Sequence, residues 1–336
     1  MNYKELGSTG LKVSMVAFGG IAIQKITCEE SADIIHKAEE LGMNFIDTAR
    51  LYTVSEEYVG YALEGRRDKW IIATKSMARD KNSMMEEANR SFKNLRTDYI
   101  DLYQFHNVKT VEDYEKILSE DGAYKALEEL KSKGKIGHIG ITSHSLDVLK
   151  VAIESGKFET IMYPYNIVER QGKELFQRAK ELNIGVIDMK PMAGGALNNG
   201  TLALKYVLSN KNITTAIPGM ANLEEVVENS ACGNKDIVLT EQEKIECDKI
   251  LKELGTEFCR RCGYCAPCTK NIDIPGIFVL EAYKIRYGLP EWADDRYFSL
   301  DSRAKDCIEC GACEKRCPYD LPIIKMLKRV RTEFEE

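Results

Sequence analysis

Eight of the eleven cysteines of this chain lie within its last 78 residues, in two short groups. The first group reads CRRCGYCAPC, with cysteines at positions 259, 262, 265 and 268, and the second reads CIECGACEKRC, with cysteines at positions 307, 310, 313 and 317. The opening residues, MNYKELGSTG, contain no apolar signal region, so we expect a cytoplasmic protein. Disulfides are rare in the reducing cytoplasm, and clustered thiols there indicate metal or redox chemistry.

The second group has the spacing of bacterial ferredoxins, C-x2-C-x2-C-x3-C-P. In that pattern three closely spaced thiolates bind one cluster, and the fourth cysteine ligates the other cluster. The resemblance therefore predicts two 4Fe-4S clusters. The expected ligands of the first are Cys259, Cys262, Cys265 and Cys317. The expected ligands of the second are Cys307, Cys310, Cys313 and Cys268.

The tail departs from the ferredoxin pattern in two respects. Cys268 is followed by Thr269 instead of proline, and the spacing before it is one residue short. The 38 residues between Cys268 and Cys307 include a helix-like stretch at 278–288, so we expect a small, mainly helical ferredoxin-like domain. Zinc is the alternative, because paired CxxC units also form zinc ribbons, and disulfides or free thiols are a third reading. The tail has no histidine, which favours clusters over zinc.

A second set of residues has the types needed for acid–base chemistry, and each lies at or just beyond the end of a short apolar run: Asp47, Tyr52, Lys75 and His106. A carbonyl oxygen that accepts hydride becomes negative and must be protonated. A tyrosine hydroxyl can supply the proton, although its unperturbed pKa is about 10. An ammonium group such as Lys75, held by Asp47, would lower that pKa, and His106 would orient the carbonyl. This set predicts a carbonyl reduction with Tyr52 as general acid.

The elements that must position these residues alternate along the chain. Eight apolar runs are typical of strands, at 13–20, 44–49, 70–75, 99–106, 135–142, 160–166, 185–191 and 214–220. Amphipathic stretches typical of helices lie between them, at 31–41, 55–64, 83–95, 123–133, 145–154, 172–182, 200–209 and 222–231. Eight strand–helix pairs in about 220 residues predict an α/β fold, a (β/α)8 TIM barrel, with its chemistry at the C-terminal ends of the strands. A doubly wound sheet is the alternative, but the glycine-rich turn that it needs after the first strand is absent.

The cysteine density changes near residue 255, after a helix that Thr240 and Glu243 would open with a capping box. We therefore divide the chain into a barrel at 1–255 and an iron–sulfur domain at 256–336. The net charge of −6 argues against nucleic acid and anionic membranes as partners. No apolar run is long enough to span a bilayer.

The barrel sequence resembles the aldo-keto reductase family, most strongly in FIDTARLY (45–52), IATK (72–75) and DLYQFH (101–106). The resemblance implies a nicotinamide coenzyme, NAD(H) or NADP(H), bound without a Rossmann domain, and a catalytic tetrad formed by the four residues above. It also implies a set of coenzyme-binding residues: Thr142, Ser143, Met189, Gly194, Gly195, Glu228 and Asn229. Gly219 and Glu225 replace the Lys and Arg that many members direct at a 2′-phosphate. Because a carboxylate repels phosphate, we expect NADH to be used at least as well as NADPH.

Three functions agree with these two halves. The favoured one is a reductase of a small-molecule carbonyl substrate, whose clusters serve electron transfer or structure, because all four tetrad positions are filled. The second is an electron-transfer enzyme that couples the barrel site to a redox partner protein such as ferredoxin. That function must split the electron pair of a hydride, and a flavin at the barrel rim is a candidate cofactor for it, although no flavin motif is present. The third is a non-catalytic iron–sulfur redox sensor.

Overall fold

The computed structural model describes residues 1–234, 237–255, 257–261 and 263–335, so the expected ligand Cys262 lies outside the described residues. The chain forms two compact units. The barrel unit comprises residues 1–166, 170–192 and 199–239. The tail unit comprises residues 167–169, 193–198 and 240–336, and so includes two short segments from the barrel sequence.

Eight parallel strands form the sheet of the barrel unit, at the positions that the sequence predicts. They are β3 (Phe18–Gly19), β4 (Phe45–Asp47), β5 (Ile71–Ser76), β6 (Ile100–Phe105), β7 (Ile136–Thr142), β8 (Thr160–Pro164), β9 (Gly185–Met189) and β10 (Thr215–Ile217). Each strand pairs in parallel with the next strand along the chain. The amide of Ala17 donates to the carbonyl of Ala216, and that of Gly19 to Pro218, both at 2.9 Å. These bonds join the first strand to the last and close the barrel, which confirms the predicted fold.

An antiparallel hairpin precedes the barrel, formed by β1 (Tyr3–Glu5) and β2 (Lys12–Ser14). The apolar run at 13–20 is therefore divided between the hairpin and β3. Leu6 and Val13 are fully buried in one cluster with side chains of the barrel strands. Gly7 has φ +58°, and a Cβ atom there would lie 2.2 Å from the backbone nitrogen of Gly185, the first residue of β9. The hairpin therefore closes the N-terminal end of the barrel, at a contact that only glycine permits.

Helices cover the outer face of the barrel. They are α1 (Cys28–Glu40), α2 (Ser55–Ala62), α3 (Lys81–Asn94), α4 (Val111–Leu118), α5 (Ala123–Ser132), α6 (Leu146–Glu154), α7 (Lys173–Glu181), α8 (Gly200–Leu208) and α9 (Leu223–Cys232). Helix α4 was not predicted, and the others lie where the sequence places them. Because strands and helices alternate, each strand ends in a loop on the same face of the barrel.

The tail unit is helical, as expected. Its helices are α10 (Glu241–Leu254), α11 (Ile274–Ile285), α12 (Pro290–Phe298), α13 (Ala312–Arg316) and α14 (Ile323–Glu335). Thr240 and Glu243 form the predicted capping box of α10. In the core, the rings of Tyr297 and Phe334 stack with centroids 4.1 Å apart, and Arg329 binds the buried Glu281 through two hydrogen bonds. Across the ranges given above, none of the helices has the length and apolar character needed to cross a membrane.

Candidate functional site

The four residues with acid–base side chains lie at the C-terminal ends of neighbouring barrel strands. Asp47 is the last residue of β4, Lys75 is the penultimate residue of β5, and His106 directly follows β6. Tyr52 lies in the loop after β4. Its ring centroid is 5.0 Å from the Lys75 Nζ atom and 5.9 Å from the His106 ring centroid, with the two rings edge to face. The structure therefore brings all four predicted residues together.

Lys75 and Asp47 form an ion pair inside the barrel. Lys75 Nζ lies 2.5 Å from Asp47 Oδ2 and also donates to the carbonyl of Thr48 at 2.7 Å. Each of the paired side chains is only 2% exposed. Burial raises the pKa of Asp47 and lowers the pKa of Lys75, and the ion pair opposes both shifts. These bonds fix the pair in position, and the ammonium group of Lys75 lies 5.0 Å from the centroid of the Tyr52 ring.

Gln104 is a further member of this site that the sequence reasoning missed. It is fully buried on β6, opposite Lys75 in the strand register, and its Nε2 donates to Asp47 Oδ1 at 3.1 Å. It therefore holds the second carboxylate oxygen. An amide in the middle of the apolar run YIDLYQFH was the available signal, because an uncharged polar group inside a barrel needs a partner.

His106 is kept neutral by its surroundings. Burial lowers its pKa well below the ordinary value, and the positive charges of Lys75, Arg79 and Lys190 act in the same direction. Arg79 also donates to the His106 carbonyl at 2.8 Å and so fixes the backbone there. The Nδ1 atom of His106 is buried and has no hydrogen-bond partner within the described part of the chain.

Two of the residues expected to bind coenzyme use their hydroxyl groups to join strand ends. Thr142 Oγ1 accepts from the amide of Asn107 at 2.8 Å. Ser143 Oγ donates to the carbonyl of Val108 at 2.5 Å and accepts from the amide of Ser145 at 2.9 Å. Both side chains are buried. These contacts fix the loop after β7 to the loop after β6.

The other expected coenzyme residues lie at separate places. Met189 ends β9 and packs, partly buried, against the barrel interior. Glu228 and Asn229 are neighbours on α9, where Glu228 is exposed and Asn229 is buried. In the first turn of α9, Glu225 Oε2 accepts from the amide of Ala221 at 2.7 Å.

Gly194 and Gly195 belong to the tail unit. Both have positive φ angles, +66° and +79°. Arg286, just after α11, donates from its Nε to the Gly194 carbonyl at 3.1 Å. A Cβ atom on Gly194 would lie 3.4 Å from the ring of Tyr287, and one on Gly195 would lie 3.3 Å from Arg286 Cβ. The segment 193–198 is thus packed against the end of α11.

Four of the clustered cysteines line one cavity of the tail unit: Cys268, Cys307, Cys310 and Cys313. We call it the Cys268 site. Its sulfurs have hydrogen-bonding neighbours, since the amide of Lys270 donates to Cys268 Sγ at 3.4 Å and the Thr269 hydroxyl lies 3.5 Å from Cys310 Sγ. The amide of Ala312 lowers the pKa of the Cys310 thiol, which favours the thiolate that a metal requires.

The other four cysteines of the two motifs are the expected ligands of the first cluster, at what we call the Cys317 site; of these the structure describes Cys259, Cys265 and Cys317. Cys265 is buried, and the amide of Arg261 donates to Cys259 Sγ at 3.4 Å. Arg260, which follows Cys259 in the chain, interacts electrostatically with Cys259 and with Cys317. Arg316 donates to the carbonyls of Cys265 and Pro267, both at 2.7 Å, and so ties the second motif to the first.

Comparison with known proteins agrees with both halves. The model of the aldo/keto reductase family matches residues 15–201, and that of a 4Fe-4S dicluster domain matches residues 258–322. The chain belongs to the aldo/keto reductase family and carries a 4Fe-4S dicluster domain at its C-terminal end. It is therefore an oxidoreductase by family.

Several relatives resemble the barrel part. An uncharacterized oxidoreductase, YqkF of Bacillus subtilis, is 31% identical over 258 residues, which is 72% of this chain and 81% of the relative. L-galactose dehydrogenase of Arabidopsis thaliana is 29% identical over 298 residues, which is 73% of this chain and 90% of the relative.

Among solved structures, the holo form of aldo-keto reductase AKR11C1 from Bacillus halodurans is 29% identical with a TM-score of 0.67, and the match covers 74% of this chain and 96% of that one. An aldo/keto reductase from Klebsiella pneumoniae, in complex with NADP and acetate, shares the fold at 22% identity and a TM-score of 0.64, covering 75% of this chain and 96% of its own.

Proposed function

We propose that the barrel reduces a carbonyl substrate with a nicotinamide coenzyme and that Tyr52 is the general acid. The observation that carries this proposal is the buried Lys75–Asp47 ion pair, whose ammonium group lies 5.0 Å from the centroid of the Tyr52 ring. A bound nicotinamide coenzyme would supply the hydride that the carbonyl carbon accepts. Tyr52 donates its hydroxyl proton to the carbonyl oxygen, and Lys75 stabilises the phenolate that remains.

His106 orients the carbonyl. Because its pKa is depressed, it is neutral near pH 7 and carries one ring proton. A buried N–H without an acceptor is rarer in proteins than an unpaired lone pair, so the orphaned Nδ1 favours the tautomer protonated at Nε2. His106 can then donate from Nε2 to the substrate oxygen without competing with Tyr52 as an acid.

The residues proposed to bind coenzyme are those that the family resemblance implies, with Thr142 and Ser143 acting through the loops that they fix. The NADP complex of the Klebsiella relative supports a nicotinamide coenzyme. The fixed carboxylate of Glu225 at α9 would repel the 2′-phosphate of NADPH, which supports the use of NADH at least as well as NADPH. Lys25 lies close enough for its charge to interact with Glu225, and it reduces this repulsion without removing the carboxylate.

For the tail unit we propose two 4Fe-4S clusters, one in the Cys268 site and one in the Cys317 site, each of which transfers single electrons when bound. The grouping of Cys268 with Cys307, Cys310 and Cys313 around one cavity supports an exchange of fourth ligands between the motifs. Each motif has three cysteines in succession at two-residue spacing and the tail has no histidine, which favours clusters over a zinc ion.

Replacing Tyr52 tests the reductase. Tyr52→Phe should lower kcat for reduction of a simple aldehyde by about 10²-fold or more, since the general acid is lost. Coenzyme affinity, measured by fluorescence titration, should not change. Tyr61→Phe, on the exposed side of α2, is the matched control and should keep full activity. Tyr52→Phe with more than a tenth of the parental rate would exclude Tyr52 as the acid.

An electron-transfer enzyme is the second candidate, and one observation favours it. The mouth of the Cys268 site lies at the surface, where Cys310 is exposed, as a site that exchanges electrons with a partner such as ferredoxin requires. Adding NADH to the anaerobic protein distinguishes the candidates. Bleaching of the cluster absorbance would show that hydride electrons reach the clusters, and bound flavin should then be sought. Unchanged absorbance during aldehyde reduction would leave the barrel as a carbonyl reductase, with the clusters in a structural role.

A further inference from the structure

The barrel unit buries a second carboxylate near Lys75, that of Glu56 in the first turn of α2. Its side chain is only 1% exposed, and both of its oxygens have partners. Oε1 accepts from the hydroxyls of Thr74 and Ser91, both at 2.7 Å, and Oε2 accepts from Arg50 Nη1 at 2.6 Å. These three donors lie on β5, on α3 and in the loop after β4. One carboxylate of α2 therefore joins three other elements of the barrel.

Two of these donors are close in sequence to residues of the proposed reaction. Thr74 directly precedes Lys75 on β5, and Arg50 lies two residues before Tyr52. The amide of Arg50 also donates to the carbonyl of Lys75 at 3.0 Å. The loop after β4 is therefore bound to β5 twice, once through the backbone and once through the carboxylate of Glu56.

The same loop is exposed on both sides of Tyr52. Leu51 is 38% exposed, and Thr53 is exposed with a positive φ of +27°. On the N-terminal side the loop is fixed by Arg50, whose side chain is 17% exposed, and on the C-terminal side it is fixed by Ser55, which is fully buried. The ion pair of Arg50 is thus one of the two anchors that flank Tyr52.

The charge of Glu56 also acts on Lys75. Burial lowers the pKa of Lys75, and the charges of Asp47 and Glu56 oppose that shift. Arg50 lies between two carboxylates, since its Nε donates to Glu87 Oε2 at 2.9 Å. When the charge of Glu56 is removed, Arg50 therefore keeps an anionic partner, and no buried cation is left unpaired.

We propose that Glu56 is a positioning residue that holds Tyr52 at its working distance from Lys75. It acts through Arg50 on the loop and through Thr74 on the strand. This inference rests on the proposed reduction and adds to it a residue outside the tetrad. A displacement of about 1 Å between reacting groups can lower a rate about 100-fold, so loss of the ion pair should lower kcat and leave coenzyme binding unchanged.

The test is the reduction of a simple aldehyde by the full-length protein, with coenzyme affinity measured by fluorescence titration. Glu56→Gln keeps the shape of the side chain and an oxygen for the two hydroxyls, but it loses the ion pair. It should lower kcat at least about tenfold with an unchanged coenzyme dissociation constant. Glu57→Gln is the matched control, because it removes an exposed carboxylate from the same turn of α2, and it should keep the parental kcat.

A double-mutant cycle with Arg50→Met separates positioning from general damage. If Glu56 acts through Arg50, the variant with both changes should lose no more kcat than the more impaired single variant. Losses that multiply in the double variant would overturn the inference. Urea unfolding of the same samples sets assay conditions under which every variant is folded, so that a loss of stability alone leaves kcat unchanged.

The outcomes separate this inference from the proposed function. Parental kcat in Glu56→Gln, with Tyr52→Phe inactive, overturns the inference and leaves the reductase in place. Weaker coenzyme binding in proportion to the fall in kcat also overturns it, because that result would show a general disturbance of the site. If Glu56→Gln does not fold, the double variant decides, since it carries neither charge of the pair, and parental kcat there refutes the inference. A fully active Tyr52→Phe variant refutes the proposed function itself.

Discussion

Replacing Lys75 with methionine should destabilise the barrel strongly, because the change leaves a carboxylate inside it without its cation. Methionine has about the length of the lysine stem and no charge. Asp47 would keep the hydrogen bond from Gln104 and lose the ammonium 2.5 Å away. The carbonyl of Thr48 would lose its donor as well.

The expected magnitude follows from the burial of the pair. Both side chains are only 2% exposed, so solvent screening gives little relief. Removing one partner of a buried ion pair typically costs about 3–5 kcal/mol. Adding Asp47→Asn to Lys75→Met removes the unpaired charge and should recover most of that loss. The double variant should nevertheless remain inactive, since the proposed reaction uses Lys75 to stabilise the Tyr52 phenolate.

Urea unfolding at 25 °C measures this cycle. The chain has two tryptophans, Trp70 in the barrel unit and Trp292 in the tail unit. In a Trp292→Phe background, which keeps an aromatic ring beside Tyr283, emission reports on the buried Trp70 and hence on the barrel. Aldehyde reduction is assayed on the same samples.

Two results would refute the reasoning. One is a Lys75→Met barrel within about 1 kcal/mol of the parent, which would show that the Asp47 charge is relieved in another way. The other is a double variant no more stable than Lys75→Met, which would place the cost in packing instead of charge.

Three further predictions follow from the site. Cys313→Ser should lose the cluster of the Cys268 site and keep the other, so iron analysis should show about half the parental content; unchanged iron would contradict the grouping. The fold holds the pKa of His106 well below its usual value, so below about pH 6.5 this histidine is protonated in the unfolded chain and neutral in the folded one. The free energy of unfolding of the parent should therefore fall as the pH drops from 7 to 5. His106→Asn should lose less stability over that range in urea unfolding, and an equal loss would exclude His106 as the cause. The parent should have a kcat/KM with NADH at least as high as its kcat/KM with NADPH, and a strong preference for NADPH would contradict this. Glu225→Gln keeps an acceptor for the Ala221 amide and should raise the kcat/KM with NADPH relative to that with NADH.

The barrel fold could be predicted from the sequence because its strands are buried on both faces. Such strands appear as nearly continuous apolar runs, and the helices between them show the period of an amphipathic surface. The run at 13–20 could not be divided by this criterion, since hairpin and barrel residues are equally apolar there. Helix α4 was missed because it spans only Val111–Leu118, and its start depends on Thr110, whose hydroxyl accepts from the amide of Asp113.

The sequence predicted the residues of the site with acid–base side chains, but not the residue that supports them. Strand ends identify Asp47, Lys75 and His106, because the barrel rule fixes where strand ends meet. Gln104 was not found because it lies within a strand, and its contact depends on the register between β5 and β6. The pairing of Arg261 with Glu169 joins residues 92 positions apart, and no local pattern indicates such a contact.

The burial of the Lys75–Asp47 pair has a consequence for the order of events in turnover. Lys75 and Asp47 are sealed from water, and the hairpin closes the opposite end of the barrel, whereas Tyr52 is partly exposed at the rim. In the proposed reduction, the proton that Tyr52 gives up would be replaced from the rim side. The alcohol product would leave by that same side, so bulk water would reprotonate Tyr52 after the product has left. On this proposal, Tyr52 regains its proton between the release of one product and the binding of the next substrate.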